Sequence, residues 1–269
     1  MKIQYRYLED FINDLRSKGR YTFSLNQVHS TFNLSEEAIK KSVQRLKGKK
    51  AIALVRRGFY VIVPPEHRSR GILPPSLFVA DLMKFLERDY YVSLLNAAAF
   101  YGAAHQQPQD YSIITTKPSL RGIHTDKIKI NFYTKKDWAA EDVDQKKVET
   151  GFLKVASPEL TALDLVFYFD QAGGFNRIAT VLEELSENLN AFKLAETAKR
   201  FSQVATVQRL GYLLDEVLQK KTLVEPLSQY LKTVKHFPVL LRPKKEKPGN
   251  MITGNNWKVV SNIEVETDL

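Results

Sequence analysis

The first seventy positions alternate between two kinds of apolar spacing. In residues 5–17, Tyr5, Leu8, Phe11, Ile12 and Leu15 fall at helical intervals with polar residues between them, which predicts an amphipathic helix; Gly19 ends it. "YTFS" is a short β-prone run. Ser24 has Gln27 three residues on, a capping-box pattern, and opens a second helix with Leu25, Val28 and Phe32 on one side. After the turn at "NLS", Ser35 is a good N-cap, and Glu36 and Glu37 stand in the first turn, where the helix dipole favours acids. Ile39, Val43 and Leu46 then make a buried stripe at i, i+4, i+7, predicting a third helix to about Lys47, stopped by Gly48. Two β runs follow, "AIALV" and "FYVIV", joined by Arg56-Arg57-Gly58 as a hairpin, with Ile52, Leu54 and Val55 expected in the core. Pro64-Pro65 closes the unit.

Beyond a hinge at 66–73, "SLFVADLMKFLERD" and "YVSLLNAAAFYGAA" carry helical patterns. "YSIITT", "KIKINFYTK" and "GFLKVAS" are strand runs. Ser157-Pro158 is a strong helix start, with Ser as N-cap and Pro at the first helical position. After Gly173-Gly174, a simple helix break, a long helical region follows. It is interrupted near 188–190, near Ser202 and near 223–226, with core positions at Ile178, Val181, Leu182, Leu185, Phe201, Leu210, Leu213, Leu214, Val217 and Leu218. "RPKKEKPGN" is a solvated loop and "NWKVVSNIEVE" a late strand. The expected fold is α+β. An N-terminal winged helix-turn-helix over residues 1–66 is followed by a larger mixed α/β C-terminal domain, 72–269, whose C-terminal half is helical.

Charge changes this picture. The chain has 269 residues and a net charge of +10. Residues 1–70 hold 15 Lys and Arg against 6 Asp and Glu, a net +9; residues 71–269 hold 25 against 24, a net +1. A basic head on a near-neutral body implies a polyanion partner for the head. "KKSVQRLKGKKAIALVRRG", residues 40–58, contains eight Lys or Arg and no acid. In a winged helix the third helix enters the major groove of double-stranded DNA and the hairpin follows the backbone. Gln44 and Arg45 are the candidate base readers, because Gln pairs bidentately with adenine and Arg with guanine. Lys40, Lys41, Lys47, Lys49, Lys50, Arg56 and Arg57 are the candidate phosphate contacts.

Other classes lack support. No apolar run approaches the ~20 residues that span a bilayer, and the N-terminus has no apolar segment of a signal peptide. With no cysteine there are no disulfides or thiolate metal sites, which suits the cytoplasm. There is no Walker loop, HExxH or GxSxG. His29, His67, His105, His124 and His236 show no metal-ligand spacing, so neither a metal nor a cofactor is expected. His105 reads as a helix-end cap or packed residue. Asp142, Asp144, Glu183 and Glu184 read as solvated faces. Asp164, an acid inside the apolar "LTALDLVFY", reads as an interface residue or a cap for a neighbour.

The basic head, then "YYVSLLNAAAFYGAAHQQPQ", "VASPELTALDLV" and "VQRLGYLLDEV" together resemble the AbiEi family, antitoxins of bacterial abortive-infection (type IV) toxin–antitoxin pairs involved in phage defence. The run from Ala103 to Pro108 is the most specific piece. The resemblance implies a head that binds inverted repeats in its own promoter and represses the operon. It also implies a C-terminal domain that neutralises a nucleotidyltransferase toxin from the adjacent gene, without catalysis of its own. Two other readings stand beside it: a transcriptional regulator whose body binds a small effector, and a DNA-targeted nuclease or nucleotidyl-transferring enzyme.

Overall fold

The computed structural model describes residues 5–104, 108–243 and 254–267. Among them are ten α-helices and three sheets, a mixed α/β architecture. The chain divides into two compact units. The first comprises residues 1–90, 109–134 and 145–154; the second comprises 91–108, 135–144 and 155–269.

Unit one begins with α1 (Leu8–Ser17), β1 (Thr22–Ser24), α2 (Leu25–Thr31), α3 (Glu36–Gly48), β2 (Ile52–Arg56) and β3 (Phe59–Ile62). The local signals behave as their chemistry requires. Ser24 and Gln27 form the reciprocal capping box of α2, and Ser35 Oγ accepts from the Ala38 amide at the start of α3. The stripes of the three helices meet with Phe23, Phe32, Ile52 and Ile62 in one core. Phe11 is its centre, edge-on to Tyr5, Phe23 and Phe32. The strands form a sheet in the order β1-β3-β2, antiparallel throughout. Gly58 takes φ 79° in the tight turn between β2 and β3, a conformation that favours glycine. Two expectations need correction. Leu54 is exposed, not core: a register shift between Leu54 and Arg56 is a bulge that turns Ile52 and Val55 inward and Leu54 outward. Gly48 is the last residue of α3, and Lys50, at φ 52°, takes the left-handed turn after it.

The rest of unit one holds α4 (Val79–Phe85), β5 (Asp110–Thr115), β6 (Ile123–His124) and β7 (Lys129–Thr134). β4 (Tyr90–Val92), β8 (Val143–Val148) and β9 (Gly151–Ala156) run along the chain from one unit to the other. The six strands are ordered β6-β7-β5-β4-β9-β8, with β5 and β7 parallel over six residue pairs. Strands β6 and β8 have no counterpart in the sequence pattern. The segment from Tyr91 does not begin as a helix: Tyr90–Val92 is a strand, and the helix α5 spans only Leu94–Phe100.

Unit two is mainly helical: α6 (Pro158–Phe167), α7 (Phe175–Leu185), α8 (Ala191–Arg200), α9 (Val204–Tyr212) with a π-helical continuation at Leu213–Val217, and α10 (Lys221–Thr233). Ser157 caps α6 through the Leu160 amide, and Gly173-Gly174 breaks the chain before α7. The predicted interruption at 223–226 is displaced: Pro226 lies inside α10, and the break falls at Gln219, which takes φ 57°. The predicted core positions are buried, except Val217, which is half-buried. The late strand shrinks to β11 (Val259–Val260), parallel to β10 (Val239–Leu240). Of "RPKKEKPGN", all but Arg242 and Pro243 lies outside the described residues.

The run "VQRLGYLLDEV" has a specific task here. Gln208 Nε2 donates to the carbonyls of Phe237 and Trp257, and Arg209 Nε donates to the Leu240 carbonyl. Asp215 Oδ2 accepts from the Trp257 indole at 2.9 Å. Gly211 leaves room for the Trp257 ring, which is 1% exposed. A Cβ at Gly211 would stand 2.0 Å from that ring, so the indole would have to leave. Gly211→Ala is therefore expected to destabilise the fold by about 1–3 kcal/mol, the usual range for overpacking, and to red-shift Trp257 fluorescence in a Trp138→Phe background. Denaturation followed by fluorescence checks this; an unchanged midpoint and spectrum would contradict it.

Candidate functional site

In the head, α3 presents its polar residues on distinct sides. Lys40, Gln44 and Lys47 line a groove of about 1000 Å³ with Leu25 and His29 from α2 and Tyr60 from β3. Among the described residues, the carboxylates that line this groove are those of Glu36 and Glu37, at the start of the same helix. Arg45 and Lys49, four residues apart, reach instead to α1: Glu9 Oε2 is 3.2 Å from Arg45 Nη2, and Glu9 Oε1 is 3.1 Å from Lys49 Nζ. Lys41 pairs with Glu37 at 2.9 Å, one turn away. In the hairpin, Arg56 Nη1 donates to the Arg121 carbonyl at 3.2 Å, and Arg57 is exposed at the turn. Lys50 is exposed beyond the end of α3.

The nine predicted site residues are thus not one uniform surface. Lys40, Gln44 and Lys47 come together, Arg45 and Lys49 share an acid, and Arg56 is anchored on a backbone carbonyl. The ion pairs of Arg45, Lys49 and Lys41 are exposed. Exposed pairs contribute only about 0–1 kcal/mol, so these cations can be exchanged to an external anion at little cost. Glu9 is the residue the sequence reading missed. It stands in the first turn of α1, where an acid is ordinary, and its partners lie 36 and 40 positions away.

Charge follows the units more sharply than it follows the division at residue 70. Unit one contains 24 Lys and Arg against 12 Asp and Glu, a net +12; unit two contains 16 against 18, a net −2.

Unit two has its own polar centre. Asp164 is fully buried in α6. Its Oδ2 accepts from Tyr91 OH at 2.9 Å and from Ser93 Oγ at 2.8 Å, and its Oδ1 pairs with Lys135 Nζ. The ammonium lies 4.3 Å from the centroid of the Phe201 ring, a favourable cation–π distance. Burial, and then the Asp164 charge, pushes the Tyr91 phenol well above its ordinary pKa, so it stays a donor. Asp142 is also buried, against expectation. Arg200 grips both its oxygens, and Thr197 Oγ1 donates to Oδ1. Asp144 accepts from Tyr101 OH at 2.8 Å, and Glu183 pairs with Lys220 at 2.7 Å. Asp142 is thus buried and paired, and Asp144 and Glu183 are half-buried and held by partners.

A carboxylate enclosed on all sides, with both oxygens accepting from protein donors, is built as an anchor. A general base must instead come within hydrogen-bond reach of a substrate proton. Among the described residues, no group of three or more His, Asp or Glu could hold a metal ion. His105 lies outside the described residues. No helix of the described residues is long and apolar enough to cross a membrane.

The anchor predicts a double-mutant cycle. Asp164→Leu is expected to cost about 3–5 kcal/mol, as removal of one partner from a buried pair does. Adding Lys135→Met should recover much of that loss. Urea denaturation checks this, and two additive losses would contradict the pairing.

These features lie in a segment with known relatives. Residues 91–216, which carry Tyr91, Ser93, Lys135, Asp142, Asp164, Arg200 and the run from Gln208 to Asp215, match the family model of the AbiEi antitoxin C-terminal domain. Among solved structures, the RV2827C protein from Mycobacterium tuberculosis is similar over 100% of this chain and 94% of its own. Its TM-score is 0.63 at 14% identity, a likeness of fold. An antigenic nucleotidyltransferase-like protein from Paracoccidioides brasiliensis is similar over 57% of this chain and 88% of its own, with a TM-score of 0.34 and 12% identity, too distant to define a shared fold. No curated protein matches the chain. Residues 91–216 are thus an AbiEi antitoxin C-terminal domain.

Proposed function

We propose that this chain is an antitoxin and also a DNA-binding autorepressor. Residues 1–66 act as a winged helix-turn-helix on inverted repeats in its own promoter, and residues 72–269 counteract a nucleotidyltransferase toxin encoded beside it, without catalysis. The observation that carries the DNA reading is the net +12 of unit one against −2 in unit two, combined with the order of helices, strand and hairpin in the head. A duplex approached by α3 meets Lys40, Gln44 and Lys47 on the groove face. Gln44 is suited to an adenine edge, and Lys40 and Lys47 to the phosphates on either side. Arg45 and Lys49 leave Glu9 for the duplex, and Arg57 meets the backbone from the hairpin. The toxin-facing role is supported by the antitoxin family of residues 91–216. The Asp164 and Asp142 anchors give those residues a rigid frame and leave no acid free for chemistry at those two positions.

In binding assays of the full chain on its upstream DNA, Gln44→Ala is expected to relax preference at one operator position by about 1–3 kcal/mol. Lys47→Ala should weaken every sequence alike and flatten the salt dependence by about one unit. Uniform weakening by both changes would remove base reading from α3. Co-expression with the neighbouring toxin gene tests the second half: growth should be rescued by a Lys40→Ala/Lys47→Ala chain that no longer represses. Loss of rescue in that chain would make repression the whole of the function.

A further inference from the structure

The basic surface of unit one does not end at the head. The loop between β5 and β6, residues 116–122, carries Lys117 and Arg121, both exposed. Two arginines from elsewhere in unit one are tied to its backbone. Arg56, from the tip of the β2–β3 hairpin, donates to the Arg121 carbonyl at 3.2 Å, and Arg88, after α4, donates to the Lys117 carbonyl at 3.1 Å. With Arg57 next to Arg56 in the chain, the loop and the two segments tied to it carry five cations. Among the described residues, none of the five pairs with a carboxylate. The adjacent acids are Glu87 and Asp89 on either side of Arg88, and Asp89 is engaged by Lys154 at 3.2 Å.

The manner of anchoring matters. A backbone carbonyl satisfies a guanidinium N–H without cancelling its charge. The hydrogen bonds to Arg56 and Arg88 therefore fix the positions of two positive groups and leave the charge of the cluster intact. Like charges on neighbouring segments favour an anionic partner. The hairpin is not free to swing away from the loop either. Phe59 at its base packs on Phe85 of α4, with ring centroids 5.2 Å apart, and Thr22 on the neighbouring strand β1 hydrogen-bonds Asp81 of the same helix. The loop, α4 and the hairpin hold one another in register.

We infer that the 116–122 loop is a second phosphate-binding element, continuous with the hairpin, and that Lys117 and Arg121 contact the backbone of the duplex beyond the reach of residues 1–66. The inference rests on the DNA-binding reading above and extends its footprint. The inference assigns Lys117 and Arg121 to the phosphate backbone, where a cation binds without reading sequence. Its contribution is therefore the same for every sequence.

The test uses the full chain and a fluorescently labelled DNA duplex of mixed sequence, titrated by anisotropy over a series of KCl concentrations. Lys117→Gln/Arg121→Gln changes side chains only, so the carbonyls that hold Arg56 and Arg88 remain. Two lost phosphate contacts should flatten the plot of log K against log salt by about two units, and Arg121→Gln alone by about one. The charge-conserving pair Lys117→Arg/Arg121→Lys should restore the wild-type slope. Lys40→Gln/Lys47→Gln is the comparison in the head. If the head pair flattens the slope while both loop variants leave it unchanged, the loop element is overturned and the DNA-binding reading stands. If neither pair changes the slope, that reading fails and this inference fails with it. The single Arg121 change, at an exposed side chain, keeps the comparison decisive should the double variant melt early.

Discussion

One buried carboxylate organises the antitoxin segment. Asp164 has no access to water, and an isolated ion there would be expensive. Its charge is tolerated because Tyr91, Ser93 and Lys135 are all brought to it. That requirement fixes four stretches of chain at once: strand β4, the start of α5, the segment after β7, and α6. Asp142 repeats the device with Arg200 and Thr197, tying the segment before β8 to α8. Together the two acids position the helices whose apolar faces make the core of unit two. The α9 run extends the frame to the C-terminal segment through Gln208, Arg209, Gly211 and Asp215.

The second constraint is charge. The core of the head is built from apolar side chains, and its helices carry their cations outward. Unit one, at +12, then carries more than the chain's whole excess of +10, while unit two is slightly negative at −2. The two tasks proposed for the chain, holding a polyanion and meeting a protein toxin, make opposite electrostatic demands. A protein surface that must meet a specific partner gains from a mixed, near-neutral character, whereas a backbone-binding surface gains from one sign. Glu9 tempers the basic face by occupying Arg45 and Lys49 in the free protein.

What the sequence disclosed was local. The caps at Ser24, Ser35 and Ser157 act on amides three residues away, and Gly58 answers the turn in which it sits, so each was legible without the fold. The stripe of Ile39, Val43 and Leu46 located α3 and, by difference, its cations. What stayed hidden depended on partners far along the chain. Asp142 looked solvated because Arg200 lies 58 positions on, and Asp164 looked ambiguous because its partners lie 29 to 73 positions away. Strand β8, "VDQKKV", has no buried residue and hence no apolar alternation to betray it. Tyr91 and Val92, part of strand β4, read as helical because the alanine-rich run that follows dominates the pattern. The bulge that exposes Leu54 could not be read from a run of apolar residues with no polar gap.

The central claim is that nucleic acid is held by unit one and not by the helices of unit two. Hydrogen–deuterium exchange of the full chain, with and without its upstream DNA, tests this most directly. The account predicts that DNA slows exchange in residues 36–58 and 116–122 and leaves the helices between 158 and 233 unchanged. Protection centred on those helices, or none in 36–58, would contradict it.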